Sequence, residues 1–236
     1  MVSGEALHAL DELGPFFTVR THAAHSAPEQ PWRPMSELVD DPEVLRERVR
    51  EVRARLAGRR PAGDVELRVA ASVTHFGLVA RLISPVVAVA ARSGQLLEPD
   101  LRRVRWQPEL GGAFPLSVSG VASASASPDV LAHRLVDGPV RELGEAAEVF
   151  SVAPRVLWGN VASALNGALS VMAGTLPQHA EAARSLGSAL LSREPLRDTS
   201  TVVDGAFRRR SCCLIYRAAP GHDGPICGDC VLTGTR

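Results

Sequence analysis

All four cysteines of this chain fall within its last 25 residues, as Cys212-Cys213, thirteen intervening residues, and Cys227-Gly-Asp-Cys230. The 211 residues before them contain none. Four thiolates are the number that holds an iron–sulfur cluster or a structural zinc. The tail is therefore where the chemistry of this chain is concentrated.

Three chemistries can use such a set. All four thiolates can ligate a [2Fe–2S] cluster, two to each iron; they can form a four-cysteine zinc site; or the CxxC can cycle between dithiol and disulfide. A two-residue gap lets both sulfurs of the CxxC turn toward one metal, and Gly228 is a natural place for backbone freedom. Adjacent cysteines suit zinc poorly, because zinc modules offer two pairs each separated by two to four residues. The redox reading leaves Cys212 and Cys213 without a role, and no βαβ pattern surrounds the CxxC. The weight falls on iron–sulfur, with zinc and thiol redox as the alternatives.

Composition narrows the rest. With 236 residues and 45% hydrophobic content, the chain can bury a substantial core. Twenty-six basic residues balance 26 acidic ones, so no charge excess points to nucleic acid. Every basic residue is arginine, and an arginine cannot serve as a Schiff-base or acid/base amine. No GxGxxG opens a helix, so no dinucleotide site is indicated. The N-terminus lacks a basic region followed by an apolar one, and the most apolar stretch, Val79–Ala91, is interrupted by Arg81 and Pro85. The expectation is a cytoplasmic protein with no integral membrane segment. That compartment is reducing, which disfavours structural disulfides.

The pattern predicts an α+β chain, mainly α-helical. Residues 1–35 read as irregular. Asp41-Pro42-Glu43 opens a charged helix with Val44, Leu45, Val49, Val52 and Leu56 on one face. Asp64–Leu82 and Pro85–Arg92 read as two further helices, and Arg103–Gln107 with Phe114–Ser119 as a small antiparallel element. Ser123–Ser127 reads as a linker. Helices follow from Pro128, from Gly138-Pro139, over Pro154–Met172 and from Pro177. After Glu194-Pro195 the chain reads as loop down to the cysteines. The expected organisation is a helical body over residues 1–200 and a short cysteine-bearing iron–sulfur module over 201–236.

On these residues a resemblance becomes specific. Arg209-Arg-Ser-Cys-Cys-Leu-Ile-Tyr-Arg217 with Cys227-Gly-Asp-Cys-Val-Leu232 resembles the C-terminal signature of the FhuF family, [2Fe–2S] ferric-siderophore reductases. Arg155–Ala164 is similar to the helix that precedes the cluster module there, and the Arg81-Leu-Ile-Ser-Pro-Val and Arg105-Trp-Gln stretches extend the likeness over roughly residues 65–232. Where the family places about ten residues between the two cysteine pairs, this chain has thirteen, and lengthening such a loop costs little closure entropy.

The resemblance implies a one-electron reductase of ferric siderophores, of the hydroxamate type, that draws electrons from a donor such as a ferredoxin. Cys212, Cys213, Cys227 and Cys230 would be the ligands. Arg208, Arg209, Arg210 and Arg217 would offset the cluster's negative charge, and Ser211 would hydrogen-bond a cluster sulfur. Arg81, Arg155 and Asn160 are the expected substrate contacts. Trp106, Trp158 and His75 read as core or pocket residues; His222 lies in the inter-cysteine loop, where the four cysteines already complete the ligand set.

Overall fold

The computed structural model describes residues 7–119 and 121–233. Asp41 starts the first long helix, α1 (Pro42–Ala57). Its carboxylate accepts from the Glu43 N–H at 3.0 Å, and Pro42 sits where a missing N–H costs nothing. Ion pairs of Glu43 with Arg46 (2.6 Å) and Arg50 (3.1 Å) line the solvent side, while Leu45 and Val49 are buried. Arg48 is buried as well, its guanidinium lying over the rings of Trp106 and Phe114 at 5.3 and 5.4 Å. The negative ring faces offset part of the cost of taking that charge out of water.

Pro85 suggests a boundary between two helices, yet the structure has one continuous helix of 27 residues, α2 (Leu67–Ser93). Proline removes the N–H that would bond the Arg81 carbonyl. Here the turns on both sides, Val79–Ala90, are buried throughout, and packing of those apolar turns outweighs the lost bond. Gly94 ends the helix in the left-handed region, its N–H donating to the Ala90 carbonyl at 2.8 Å.

The chain from Pro128–Leu131 widens into a π-type winding over Ala132–Val140 and continues as α3 (Arg141–Glu148). The start expected at Gly138-Pro139 is present only as a kink, at φ −98° and ψ −115° of Gly138. Helix α4 (Pro154–Thr175) packs along α2, and α5 (Ala180–Leu191) follows after one 3₁₀ turn. By length and hydropathy α2 and α4 could each cross a bilayer. In this fold 83% and 67% of their apolar windows are buried against protein.

Short strands surround this helical centre. Strands β1 (Arg20–Thr21), β2 (Arg33–Pro34), β4 (Arg105–Trp106) and β5 (Leu116–Val118) form a sheet in the order β1-β5-β4-β2, with Trp106 opposite Leu116. The expected antiparallel element is its middle; β1 adds in parallel at one edge and β2 antiparallel at the other. The stretch read as a Ser/Ala linker is instead strand β6 (Val121–Ser125), paired with β3 (Gln95–Leu97). Small residues without turn chemistry can serve a strand once a neighbour supplies the ladder.

A further correction lies just before the cysteines. The segment expected as loop contains a hairpin, β7 (Ser200–Val203) and β8 (Ala206–Arg209). Its turn is Asp204-Gly205, both at positive φ (51° and 76°), the geometry that matches the twist of a two-residue hairpin.

Candidate metal centre

Strand β8 carries the chain into the centre and ties the two cysteine segments together. The Arg209 N–H donates to the Asp229 carbonyl at 3.0 Å, and Arg208 Nη1 donates to the Gly228 carbonyl at 2.7 Å. The CxxC closes as a turn, with Cys230 N–H donating to the Cys227 carbonyl at 3.1 Å. Gly228 does not need its freedom: its φ is not positive, and a Cβ there would meet nothing within 4 Å. The freedom is used at Gly221, at φ 64°, and at Gly224, where a Cβ would lie 2.6 Å from the Tyr216 carbonyl oxygen.

After Cys213 the chain turns through Leu214 in the left-handed region, φ 72°. This aims the Leu214 N–H at Cys212 Sγ (3.3 Å), and beyond the second pair the Leu232 N–H points at Cys230 Sγ (3.4 Å). Backbone N–H groups aimed at a sulfur favour negative charge on it.

The sulfurs themselves approach each other. Cys213 Sγ lies 3.7 Å from Cys227 Sγ, the separation of about 3.8 Å that two thiolates adopt on one tetrahedral metal at ~2.3 Å bonds. Among the described residues the thiols meet as a pair rather than as three or more donors around one point. Hydrogen bonds from Cys212 and then Cys227 pull the Cys213 thiol far below the usual thiol range, with help from the Ile215 backbone and the Arg209 charge. The same bonds, with burial, push Cys212 and Cys227 up. Cys212 also feels the charge of Cys230. Cys213 and Cys230 are buried, while Cys212 and Cys227 are half-exposed.

A buried cation stands beside these thiols. Arg209 is 2% exposed; its Nη2 donates to Asn160 Oδ1 at 2.7 Å, and its Nε has no partner among the described residues. A buried, half-satisfied guanidinium fits a group of net negative charge, and a [2Fe–2S] centre with four thiolates carries about −2 oxidised and −3 reduced. Ser72 of α2 donates to the Cys213 carbonyl at 2.8 Å, and Ser163 of α4 donates to the Asp229 carboxylate. The long inter-cysteine loop is docked at the start of α2, where Arg217 pairs with Glu66 (2.6 Å) and Ala218 packs among Ala57, Val65 and Val69. His222 lies 3.6 Å from the same Glu66 carboxylate.

Residues 209–232 match the family model of the FhuF 2Fe-2S C-terminal domain. The tail is a FhuF-type iron–sulfur module. Its four cysteines are the residues present to hold a [2Fe–2S] cluster, and a module of this type is consistent with an iron–sulfur redox protein. No curated protein matches the chain.

Several residues anticipated around the FhuF module sit elsewhere. Arg81 is 2% exposed and spends its guanidinium on the backbone carbonyls of Phe114 (2.8 Å), Phe16 (2.8 Å) and Thr18. It clamps the N-terminal segment to α2 and cannot reach a substrate. Asn160 is fully buried, so the expectation of a substrate contact gives way to a role in holding the Arg209 guanidinium. Ser211 donates its hydroxyl to the Arg155 carbonyl at 2.8 Å, not to a sulfur. Arg217 is committed to Glu66. Arg210 is exposed, with Nε 3.3 Å from the Ser200 carbonyl, and Arg155 is exposed at the start of α4. Trp106 is core and donates to Glu37 at 2.8 Å.

Sequence reasoning missed Ser72, Ser163, Gly159 and Asp229. A Cβ on Gly159 would meet Ser211 Oγ at 2.2 Å and Arg209 Nη2 at 3.0 Å, so this glycine lets the tail lie against α4. Asp229, placed between two ligands, was the legible signal among them.

Proposed function

We propose that this protein is a ferric-chelate reductase of the siderophore type, acting in the cytoplasm. The observation that carries the reading is the FhuF-type module set at the protein surface, with Cys212 and Cys227 half-exposed. Ferric siderophores hold Fe(III) with hard oxygen donors and Fe(II) far more weakly, so one electron is enough to release the metal intact. A [2Fe–2S] cluster supplies electrons singly. Cys212, Cys213, Cys227 and Cys230 would hold the group that supplies one electron for each Fe(III) reduced to Fe(II), with a ferredoxin-type donor as the source of that electron.

The chain's own residues support this by holding charge in place. Arg209 and the N–H groups of Leu214 and Leu232 stabilise negative charge on the thiolates, which favours the more negative reduced state. Ser72 and Asn160 keep the Cys213 backbone and the Arg209 guanidinium fixed, so little reorganises during transfer.

The test is a single-turnover experiment on anaerobically purified protein. Reduction should bleach the visible bands, and mixing with a ferric trihydroxamate should restore them while releasing one Fe(II) per cluster to a ferrous chelator. A centre that stays reduced in the presence of the chelate, yet reoxidises with a protein acceptor, would replace the reductase reading with one of pure electron transfer. Zinc in place of iron would end both.

A further inference from the structure

Beside the cysteines, between the start of α4, the segment before β7 and the end of β8, lies a cleft of about 310 Å³ lined by Arg155, Trp158, Arg197, Asp198, Arg210 and Ser211, among others. We propose that this cleft binds the anionic part of a ferric chelate and so makes the protein select chelates that carry carboxylate over those that carry ammonium. The inference rests on the reductase reading and names the charge class of its substrate.

Location is the first support. Ser211 is a wall of the cleft and is the chain neighbour of Cys212, which puts the two Cα atoms about 3.8 Å apart. The walls are fixed to each other: Ser211 donates to the Arg155 carbonyl, and Arg210 N–H donates to the Thr199 carbonyl at 2.9 Å. The wall of the cleft thus lies one residue from a half-exposed cysteine.

Charge is the second. Three arginines face one aspartate around the opening. Arg155 makes no side-chain hydrogen bond or ion pair among the described residues. Arg197 Nε donates to the Ser192 carbonyl at 3.3 Å and its guanidinium lies 3.6 Å from Glu194, while Arg210 Nε donates to the Ser200 carbonyl, which leaves Nη donors on both. Arg155 also stands in the first turn of a 22-residue helix, whose dipole adds to the positive potential. These guanidiniums lie where an anionic chelate would otherwise be repelled by the anionic cluster.

Shape is the third. The cleft is concave, and Trp158 contributes an apolar ring whose position is secured by Arg141, 5.2 Å from its centroid. At ~30 Å³ per water the volume equals about ten waters. That accommodates an arm or edge of a ferric chelate, whereas the flat acidic patch of a donor protein would leave it unfilled.

Exposed arginine–carboxylate contacts lie toward the low end of ion-pair strength, about a factor of two each, so three acting together give roughly tenfold selectivity. The experiment uses holoprotein and one trihydroxamate core in two forms, with its terminal amine free or succinylated. Gallium(III) complexes, which bind but accept no electron, are titrated by calorimetry; the iron(III) complexes are assayed for reduction. The succinylated gallium complex should bind about tenfold tighter, and Arg155→Gln/Arg197→Gln should cut the difference to about twofold, the share Arg210 keeps, while leaving the visible spectrum of the cluster unchanged. Equal binding of the two gallium complexes, no binding of either, or an undiminished preference in the double variant would overturn the proposal. Reduction of both iron complexes without charge preference would remove the cleft and leave the reductase reading standing. Selective gallium binding with no iron reduction would do the reverse. A double variant that slows reduction by a ferredoxin but keeps the gallium preference would assign the arginines to the donor and overturn the cleft.

Discussion

Arg209 donates to Asn160 Oδ1 at 2.7 Å, and this one bond decides which way the amide faces. A guanidinium has no acceptor, so the amide oxygen must point to it and the amide nitrogen must point away. Asn160 Nδ2 then donates toward the Ser72 carbonyl (3.1 Å), with Ser72 Oγ at 3.3 Å and His75 Nδ1 at 3.4 Å. With Nδ1 as an acceptor, the neutral ring carries its proton on Nε2. That nitrogen has no partner among the described residues and borders a cavity of about 60 Å³ lined by Trp158, Arg141, Glu145 and Glu148. The charge state of the tail thus reaches the core through three side chains.

His75 makes the fold sensitive to acid. Burial, then the nearby Arg209 charge, lowers it from 6.5 to about 3. The folded state keeps it neutral while the unfolded state takes a proton below pH 6.5, so the unfolded state binds more protons between pH 6.5 and 3. Stability is fully present above 6.5 and declines as pH falls through that window, by at most about 1.4 kcal/mol per pH unit. His75→Gln should flatten this slope. Urea denaturation of wild type and variant at pH 7 and pH 5 checks it: the gap between them should shrink at pH 5, and a constant gap would show that His75 does not titrate on unfolding.

Two glycines in one helix should respond oppositely to alanine. At Gly159 a Cβ collides with Ser211 Oγ and Arg209 Nη2; Gly159→Ala should cost about 1–3 kcal/mol and speed loss of iron from the tail. At Gly167 nothing lies within 4 Å, so Gly167→Ala should stabilise by about 0.5–1 kcal/mol. Thermal melts and the rate of bleaching by an iron chelator separate the two.

How much of this was readable varied with the kind of constraint. The cysteine spacing pointed to the metal chemistry because ligand number and gap are local properties. Helices α1, α4 and α5 were legible from caps and apolar spacing. The continuity of α2 through Pro85 was not, since it depends on neighbours that bury both turns. The β7–β8 hairpin was legible in principle from Asp204-Gly205 and was overlooked beside the arginine run. Arg81 and Asn160 were read as substrate contacts. Their burial, set by tertiary packing, turned them from substrate contacts into structural ones.

Removal of the metal should loosen the tail and spare the helices. Residues 210–233 hold few apolar contacts of their own beyond Ala218 on Val65 and Val69, while α2 and α4 belong to the main core. After iron chelation under reducing conditions, limited proteolysis should cut within the 214–226 loop while helical circular dichroism falls little. Cys227→Ser should show the same pattern without chelation. A wholesale loss of helix would mean that the cluster organises the body as well.

Asp229 should set the electron affinity of the centre. Its carboxylate contributes to raising the Cys227 thiol and accepts a hydrogen bond from Ser163, so it places a fixed negative charge beside a group that becomes more negative on reduction. Asp229→Asn removes that charge and should raise the reduction potential by about 60 mV, equivalent to ~1.4 kcal/mol for one electron. Ser163→Ala keeps the charge but leaves it less neutralised, and should shift the potential slightly downward. Protein-film voltammetry of both variants decides the matter. A downward shift in Asp229→Asn would mean that the carboxylate acts by shaping the CxxC turn, with its charge a lesser influence.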